Sequence, residues 1–260
     1  MKQNIVFDPK LKSADYLADY FLKTKTILNE FNSNQNVTMQ WFQRRDNTVV
    51  CGLDYVVQLI KFVCPNWKDL KIQALQDGDI VNQMEPVLKI TGKYNDFAFL
   101  EGMIDGILAR ASSVATNTRH LIDVANGKTI LNMNDRADLY VNQQLDGYAS
   151  YVGGIKSFVT KAAIEYIDDE TVLAPQGTMP HALIASFNGD LVQATEAFYK
   201  MFPHNNLVAL IDYNNDCVND AIKVVQRFKS ELKMVRIDTS FAVIDKSLQN
   251  EPPRDELRGV

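Results

Sequence analysis

The 260-residue chain is most sharply limited by what it has little of. It contains no run of about 18 or more apolar residues, which excludes a membrane-spanning helix. Cysteine is scarce: Cys51, Cys64 and Cys217 are odd in number, widely spaced and in no CxxC pattern, so they are expected to be reduced structural thiols. No long stripe of lysine and arginine occurs, and the formal charge of −5 argues against a broad nucleic-acid footprint. The start, Met1-Lys2-Gln3-Asn4, leads into no signal-type apolar core, so a cytoplasmic location is expected. No internal repeat or low-complexity tract is found.

What is present is ordinary for a globular protein: 46% hydrophobic and 23% charged residues, enough to bury a sizeable core in one large or two small domains. Apolar residues at helical spacing from Tyr16 to Phe31 predict a helix. Val37–Gln43 and Thr48–Cys51 read as strands, Leu53–Val63 as an amphipathic helix, and Lys71–Leu75 and Pro86–Thr91 as further strands around the turn Asp77-Gly78-Asp79. Residues 1–95 therefore suggest a small mixed α/β domain with a half-exposed sheet.

After Gly92 the texture changes. Phe97–Val124, rich in alanine and other small residues, reads as two packed helices. Strands then alternate with helices: Thr129–Met133, Thr171–Ala174, Leu207–Ile211 and Met234–Ile237, with Ala194–Met201 and Ala221–Leu232 as crossovers. Such alternation predicts a parallel sheet, so 96–260 is expected to be an α/β barrel domain. About four or five strands are legible where a closed barrel has eight, so the barrel is expected to be incomplete. The open edge then implies a covering partner or a longer polypeptide.

Functional residues of α/β barrels sit at the C-terminal ends of strands. That rule selects Asp135 and Arg136, Thr178 and His181, Asp212, and Asp238 as one active-site rim. In Gly177-Thr178-Met179-Pro180-His181-Ala182 a helix is expected to open with Thr178 as its N-cap, creating an anion site. Strand-end aspartates capping the following helix are the plainer alternative for Asp212 and Asp238.

Several segments together resemble the nicotinate phosphoribosyltransferases, of the type II phosphoribosyltransferase group. They are Asp19-Tyr20-Phe21-Leu22-Lys23-Thr24, Ala109-Arg110-Ala111-Ser112-Ser113-Val114-Ala115-Thr116, Gln144–Gly154, Gly177–Ile184, Asp212–Cys217 and Val235–Ser240. The resemblance runs in order over nearly all the chain and stops short of the C-terminal part of the family's barrel, including the strand ends that bind the 5′-phosphate of PRPP. It implies an N-terminal open-faced α/β sandwich over 1–95 followed by an incomplete parallel α/β barrel over 96–260, a homodimer with a shared active site, and transfer of phosphoribosyl from PRPP to nicotinate, giving nicotinate mononucleotide and pyrophosphate. It also implies Mg²⁺ and coupling to ATP as co-substrate. A non-catalytic or split-protein remnant that binds nucleotide or a partner, or a relative using nicotinamide or quinolinate, is the alternative.

The resemblance further implies roles. His181 matches the phosphohistidine position, with a histidine merely hydrogen-bonded at a helix start as the alternative. Asp212 and Asp238 would hold ribose hydroxyls or, through water, Mg²⁺. Arg136 would grip the nicotinate carboxylate or a phosphate, or else pair with Asp135 or Asp138. Tyr20 would stack on the nicotinate ring from the neighbouring subunit, or simply pack. Gly153 and Gly154 would allow close approach to a phosphate, or form a tight turn. Thr178, Arg236 and Thr239 complete the expected substrate contacts. Arg44-Arg45 could reach phosphate or lie exposed, while His120 and His204 carry no motif context. Asp138-Leu139 stands where many relatives carry histidine and a different neighbour.

Overall fold

The computed structural model describes all residues except 3, 4, 34, 173, 176, 204, 205 and 253–260. It divides into two compact units, Met1–Gln176 and Gly177–Val260. The domain boundary expected near residue 95 lies within the first unit, because one long helix serves two cores there. Ile104 and Leu108 of that helix join the core beneath the N-terminal sheet, while Ala111 and Ala115 join the core that follows.

In the first unit, helix α1 (Asp19–Glu30) precedes strand β1 (Asn36–Phe42) and the short β2 (Thr48–Val49). Helix α2 (Leu53–Val63) follows, then β3 (Lys71–Ala74), β4 (Ile80–Val81) and β5 (Pro86–Lys93). The sheet is antiparallel in the order β1-β5-β3, with β2 and β4 paired separately. β1 alternates towards and away from solvent as a half-covered strand should. On its open face the hydroxyls of Thr38 and Thr91 meet at 2.8 Å across the β1–β5 pair. Helix α2 buries Leu53, Val56, Leu59, Ile60 and Val63 on one stripe, each contributing about 1.5–3 kcal/mol by leaving water. Its first turn is capped from outside: Asp77 Oδ1 accepts the Leu53 N–H at 2.8 Å.

The stretch expected to form two helices is different. A short turn of helix α3 (Tyr94–Phe97) and a 3-10 turn lead into a single 24-residue helix α4 (Glu101–Val124). Of its small residues Ala111, Ser112 and Ala115 are buried in close packing, whereas Gly102 and Gly106 face open space. Beyond it, β6 (Leu131–Asn132) pairs in parallel with β7 (Ser157–Phe158), flanking helix α5 (Gln143–Gly153). β7 was not expected, and the expected strand at Thr171–Ala174 is absent among its described residues, which are turns and bends. Leu173 lies outside the described residues.

The second unit contains α6 (His181–Ser186), α7 (Leu191–Met201), β8 (Leu207–Leu210), α8 (Cys217–Phe228) and β9 (Leu232–Arg236). β8 and β9 are parallel, with Leu210 opposite Arg236. α8 buries Cys217, Asp220, Val224 and Phe228 at helical spacing over a core that includes Leu207, Leu210 and Ile211. The alternating α/β organisation is that expected, but no closed barrel forms among the described residues. Its parallel strands are two separate pairs.

Candidate functional site

In the second unit two of the expected strand-end residues come together. β8 and β9 run side by side, so Asp212, two residues past β8, and Asp238, two residues past β9, emerge at one end of the pair. The Ile211 N–H donates to the Arg236 carbonyl at 3.0 Å, carrying the pairing up to the site.

Asp212 is the hub. Its side chain is only 2% exposed. One oxygen accepts from His181 Nε2 at 3.1 Å; the other accepts the Asp238 N–H at 2.9 Å and the Thr239 hydroxyl at 3.3 Å. A carboxylate only accepts, so the proton of a neutral His181 sits on Nε2 and the lone pair on Nδ1. The His181 side chain is 42% exposed and accessible to a reactant. A second arm completes the cluster. Arg236 donates to Thr178 Oγ1 at 3.1 Å and to Asp238 Oδ2 at 2.7 Å.

Thr178 is therefore not the helix cap. Pro180 occupies that position without a side-chain hydrogen bond, and α6 begins at His181. The Thr178 hydroxyl is engaged by Arg236 instead, which removes the expected side-chain-capped helix start. The loop after β8 is held from several sides. Asn214 donates to the buried Asp220 at 2.9 Å, Asn215 to the Ile244 carbonyl at 2.9 Å, and the Cys217 N–H to Asp245 at 2.8 Å. Sequence reasoning missed Asp245, although its side chain also accepts the Ser247 N–H as the cap of a 3-10 turn, a local Asp-x-Ser pattern legible in the chain.

No group of three or more metal-ligating side chains occurs among the described residues. Asp212 is fully engaged within the protein. Asp238 is 43% exposed with one oxygen on Arg236, so its carboxylate could take a water-bridged cation.

The remaining expected residues belong to the first unit. Arg136 lies exposed on a 3-10 turn after β6 and has no ion-pair partner among the described residues. Asp138, its expected alternative partner, pairs with Arg110 instead. Tyr20 is 61% exposed on α1, with its ring 4.4 Å from Phe21, and it is Phe21 that is buried. Gly153 lies against α4, where a Cβ would stand 2.7 Å from the Ala115 carbonyl oxygen. Gly154 ends α5 with a φ of 121°. Both glycines thus have packing and capping reasons.

Arg44 and Arg45 are exposed and line a cleft of about 760 Å³ between β1 and α4. His120 is exposed on α4, and His204 lies outside the described residues. The three cysteines are free and buried. Burial pushes the thiols of Cys64 and Cys217 up to about 12 and that of Cys51 well above its ordinary value, which leaves little reactive thiolate.

Comparison finds known proteins of similar sequence and fold. Residues 19–112 match the family model for the quinolinate phosphoribosyl transferase N-terminal domain. Nicotinate-nucleotide pyrophosphorylase from Pyrococcus furiosus is similar with a TM-score of 0.80 and 26% identity, over 93% of this chain and 61% of that one. Human nicotinic acid phosphoribosyltransferase is similar with a TM-score of 0.71 and 18% identity, over 86% of this chain and 61% of that one. Nicotinate-nucleotide pyrophosphorylase from Ehrlichia chaffeensis gives 0.59 and 19%, over 90% and 86%. The chain spans 61% of the length of the first two. No helix among the described residues is long and apolar enough to cross a membrane.

Proposed function

We propose that this chain, which has the fold of the type II phosphoribosyltransferases, transfers phosphoribosyl from PRPP to nicotinate, giving nicotinate mononucleotide and pyrophosphate. The observation that carries the reading is the convergence of His181, Asp212, Arg236, Asp238 and Thr178 in one hydrogen-bonded cluster.

In this reaction the ribose C1–pyrophosphate bond breaks and a bond from the pyridine nitrogen to C1 forms. Positive charge builds on the ribose ring as it proceeds, and a carboxylate there lowers the barrier electrostatically. The exposed Asp238 is suited to that task, held in place by Arg236 and by its own backbone N–H on Asp212. Mg²⁺ would neutralise pyrophosphate charge when bound. Asp212 acts through others in this reading: it orients the imidazole and the Asp238–Thr239 turn, in place of the direct ribose or Mg²⁺ contact. His181 presents Nδ1 as a nucleophile, which supports a phosphohistidine role and ATP as co-substrate.

Arg136 supplies the anchor for a single substrate carboxylate. Arg110, the other arginine tied to its segment, is already engaged by Asp138 and Asp146, which supports nicotinate over a dicarboxylic base. Tyr20 reaching a neighbouring subunit's base, phosphate contact at Gly153 and Gly154, and a homodimer in the cytoplasm belong to the same reading. Quinolinate as the base is the second reading, favoured by the family match over residues 19–112. The test offers nicotinate, nicotinamide and quinolinate together with PRPP and Mg²⁺ and follows which is consumed. Selective loss of nicotinate supports the proposal; loss of quinolinate alone replaces it with the second reading.

A further inference from the structure

Arg136 is held in space by a segment with almost no regular structure, and the way that segment is fastened carries an inference. Between β6 and α5 the chain makes two 3-10 turns, Asn134–Arg136 and Tyr140–Asn142, and neither contains a buried residue. No apolar anchor fixes it, so its position depends on hydrogen bonds. At one end Asn132 donates to the buried Ser150 hydroxyl of α5 at 2.9 Å, and the Asn134 N–H donates back to Asn132 at 3.0 Å. At the other end Asp138 gathers the turn, accepting the Leu139 N–H at 2.6 Å and the Asn142 side chain at 3.0 Å.

Asp138 is then tied to α4 by Arg110. Arg110 is itself fixed by a two-point grip on Asp146 of α5, at 2.8 Å from Nε and 2.7 Å from Nη2. The Asp146 side chain is 8% exposed, so this grip is a buried fulcrum, whereas Arg110 and Asp138 are 37% and 38% exposed. One guanidinium thus connects α4, α5 and the Arg136 segment. A planar five-donor group can do this; an ammonium cannot hold both carboxylates in the same fork.

We propose that Arg110 is a positioning residue for substrate binding: through Asp138 it holds the segment that presents Arg136 to an anionic group of the substrate. This rests on the reading of Arg136 given under the proposed function, and it adds a residue pair, Arg110 and Asp138, that touches no reactant itself. The pair sets affinity for the carboxylate-bearing base and leaves the bond-making step alone. Asp138 stands two residues beyond Arg136, so displacing it by even an ångström moves the guanidinium out of bidentate geometry.

The test compares D138N, R110K, R136A and the double variant D138N/R136A in the full chain. Amide hydrogen exchange and steady-state kinetics are both measured, and thermal unfolding serves as a folding control. D138N is expected to speed exchange of the amides from Asn134 to Asn142 by about tenfold or more, with α4 and α5 unchanged. It is expected to raise the KM for the base by about tenfold while kcat and the KM for PRPP stay within about twofold. In the R136A background D138N is expected to add little, because the two act on one contact. R110K is expected to follow D138N, since it keeps the charge and loses the fork.

Unchanged exchange in D138N overturns the positioning role. So do faster exchange without a change in base KM when R136A raises that KM, and D138N and R136A effects that multiply independently. If R136A leaves the base KM unaltered, the role given to Arg136 fails and the functional half of this inference with it. The exchange data show in that case whether the clamp orders the segment.

Discussion

Asp212→Asn separates the two jobs that the structure gives Asp212. In the folded protein one carboxylate oxygen faces His181 Nε2, and the other faces the Asp238 N–H and the Thr239 hydroxyl. An asparagine keeps the shape but offers one acceptor and one donor. Turning its NH₂ towards the Asp238 N–H would set donor against donor and cost about 1–3 kcal/mol, so its oxygen stays there and its NH₂ turns to His181. The imidazole must then accept at Nε2 and carry its proton on Nδ1, the nitrogen proposed to attack.

The expected result is therefore a stability loss of under about 1 kcal/mol together with a fall of about a hundredfold or more in ATP-stimulated rate. Asp212→Ala removes every acceptor. His181 can turn to water, but the Asp238 amide is left without its partner, costing about 1–3 kcal/mol. That corresponds to a fall in Tm of about 2–4 °C per kcal/mol. The assays are thermal unfolding, initial rates with and without ATP, and ¹⁵N chemical shifts of the His181 ring to read its tautomer. Full ATP stimulation in D212N with the proton moved to Nδ1 would refute the nucleophile assignment. Equal destabilisation by Asn and Ala would refute the hub geometry.

His181→Ala is expected to abolish ATP stimulation and spare basal transfer, whereas Asp238→Ala removes both; equal losses would defeat that division of roles. Gly147→Ala is expected to destabilise the first unit by about 1–3 kcal/mol or more, read by urea unfolding, because a Cβ there would stand 1.9 Å from the Ala163 carbonyl oxygen. Asp245 gives a pH signature. Burial works to raise its pKa, but hydrogen bonds from Ser247 and from the Cys217 N–H outweigh it and bring the group to about 2. A depressed carboxylate stabilises the fold above its unfolded value of about 4, and that contribution is lost as pH falls through about 2. Acid unfolding of Asp245→Asn is therefore expected to lack this component; an unchanged acid limb would contradict it.

Much of this architecture was legible because periodicity and chemistry agreed. Leu53–Val63 carries its apolar residues on one stripe and forms the helix expected. The strands ending near Asp212 and Asp238 are where the apolar runs from Leu207 and Met234 placed them, to within a residue or two. The failures have physical causes. Thr171–Ala174 is β-branched and apolar like a strand, yet its described residues have no strand partner, and the short Ser157–Phe158 takes that part beside β6. Phe97–Val124 reads as two packed helices with small residues for close approach; the close approach is there, with Gly153 of α5 against Ala115, but Glu101–Val124 is one unbroken helix. Thr178 has the chemistry of a cap but a stronger partner in Arg236. The Arg110 clamp was invisible because its carboxylates lie 28 and 36 residues away in the chain, beyond any local pattern.

The most direct test of the central claim is product formation by the 260-residue chain with nicotinate, PRPP and Mg²⁺, run beside Asp238→Ala and followed by chromatography. The account predicts nicotinate mononucleotide and pyrophosphate in equal amounts from the unsubstituted chain, more with ATP, and none from the variant. A folded chain that forms no product, or an Asp238→Ala protein that forms it at the full rate, would contradict the account.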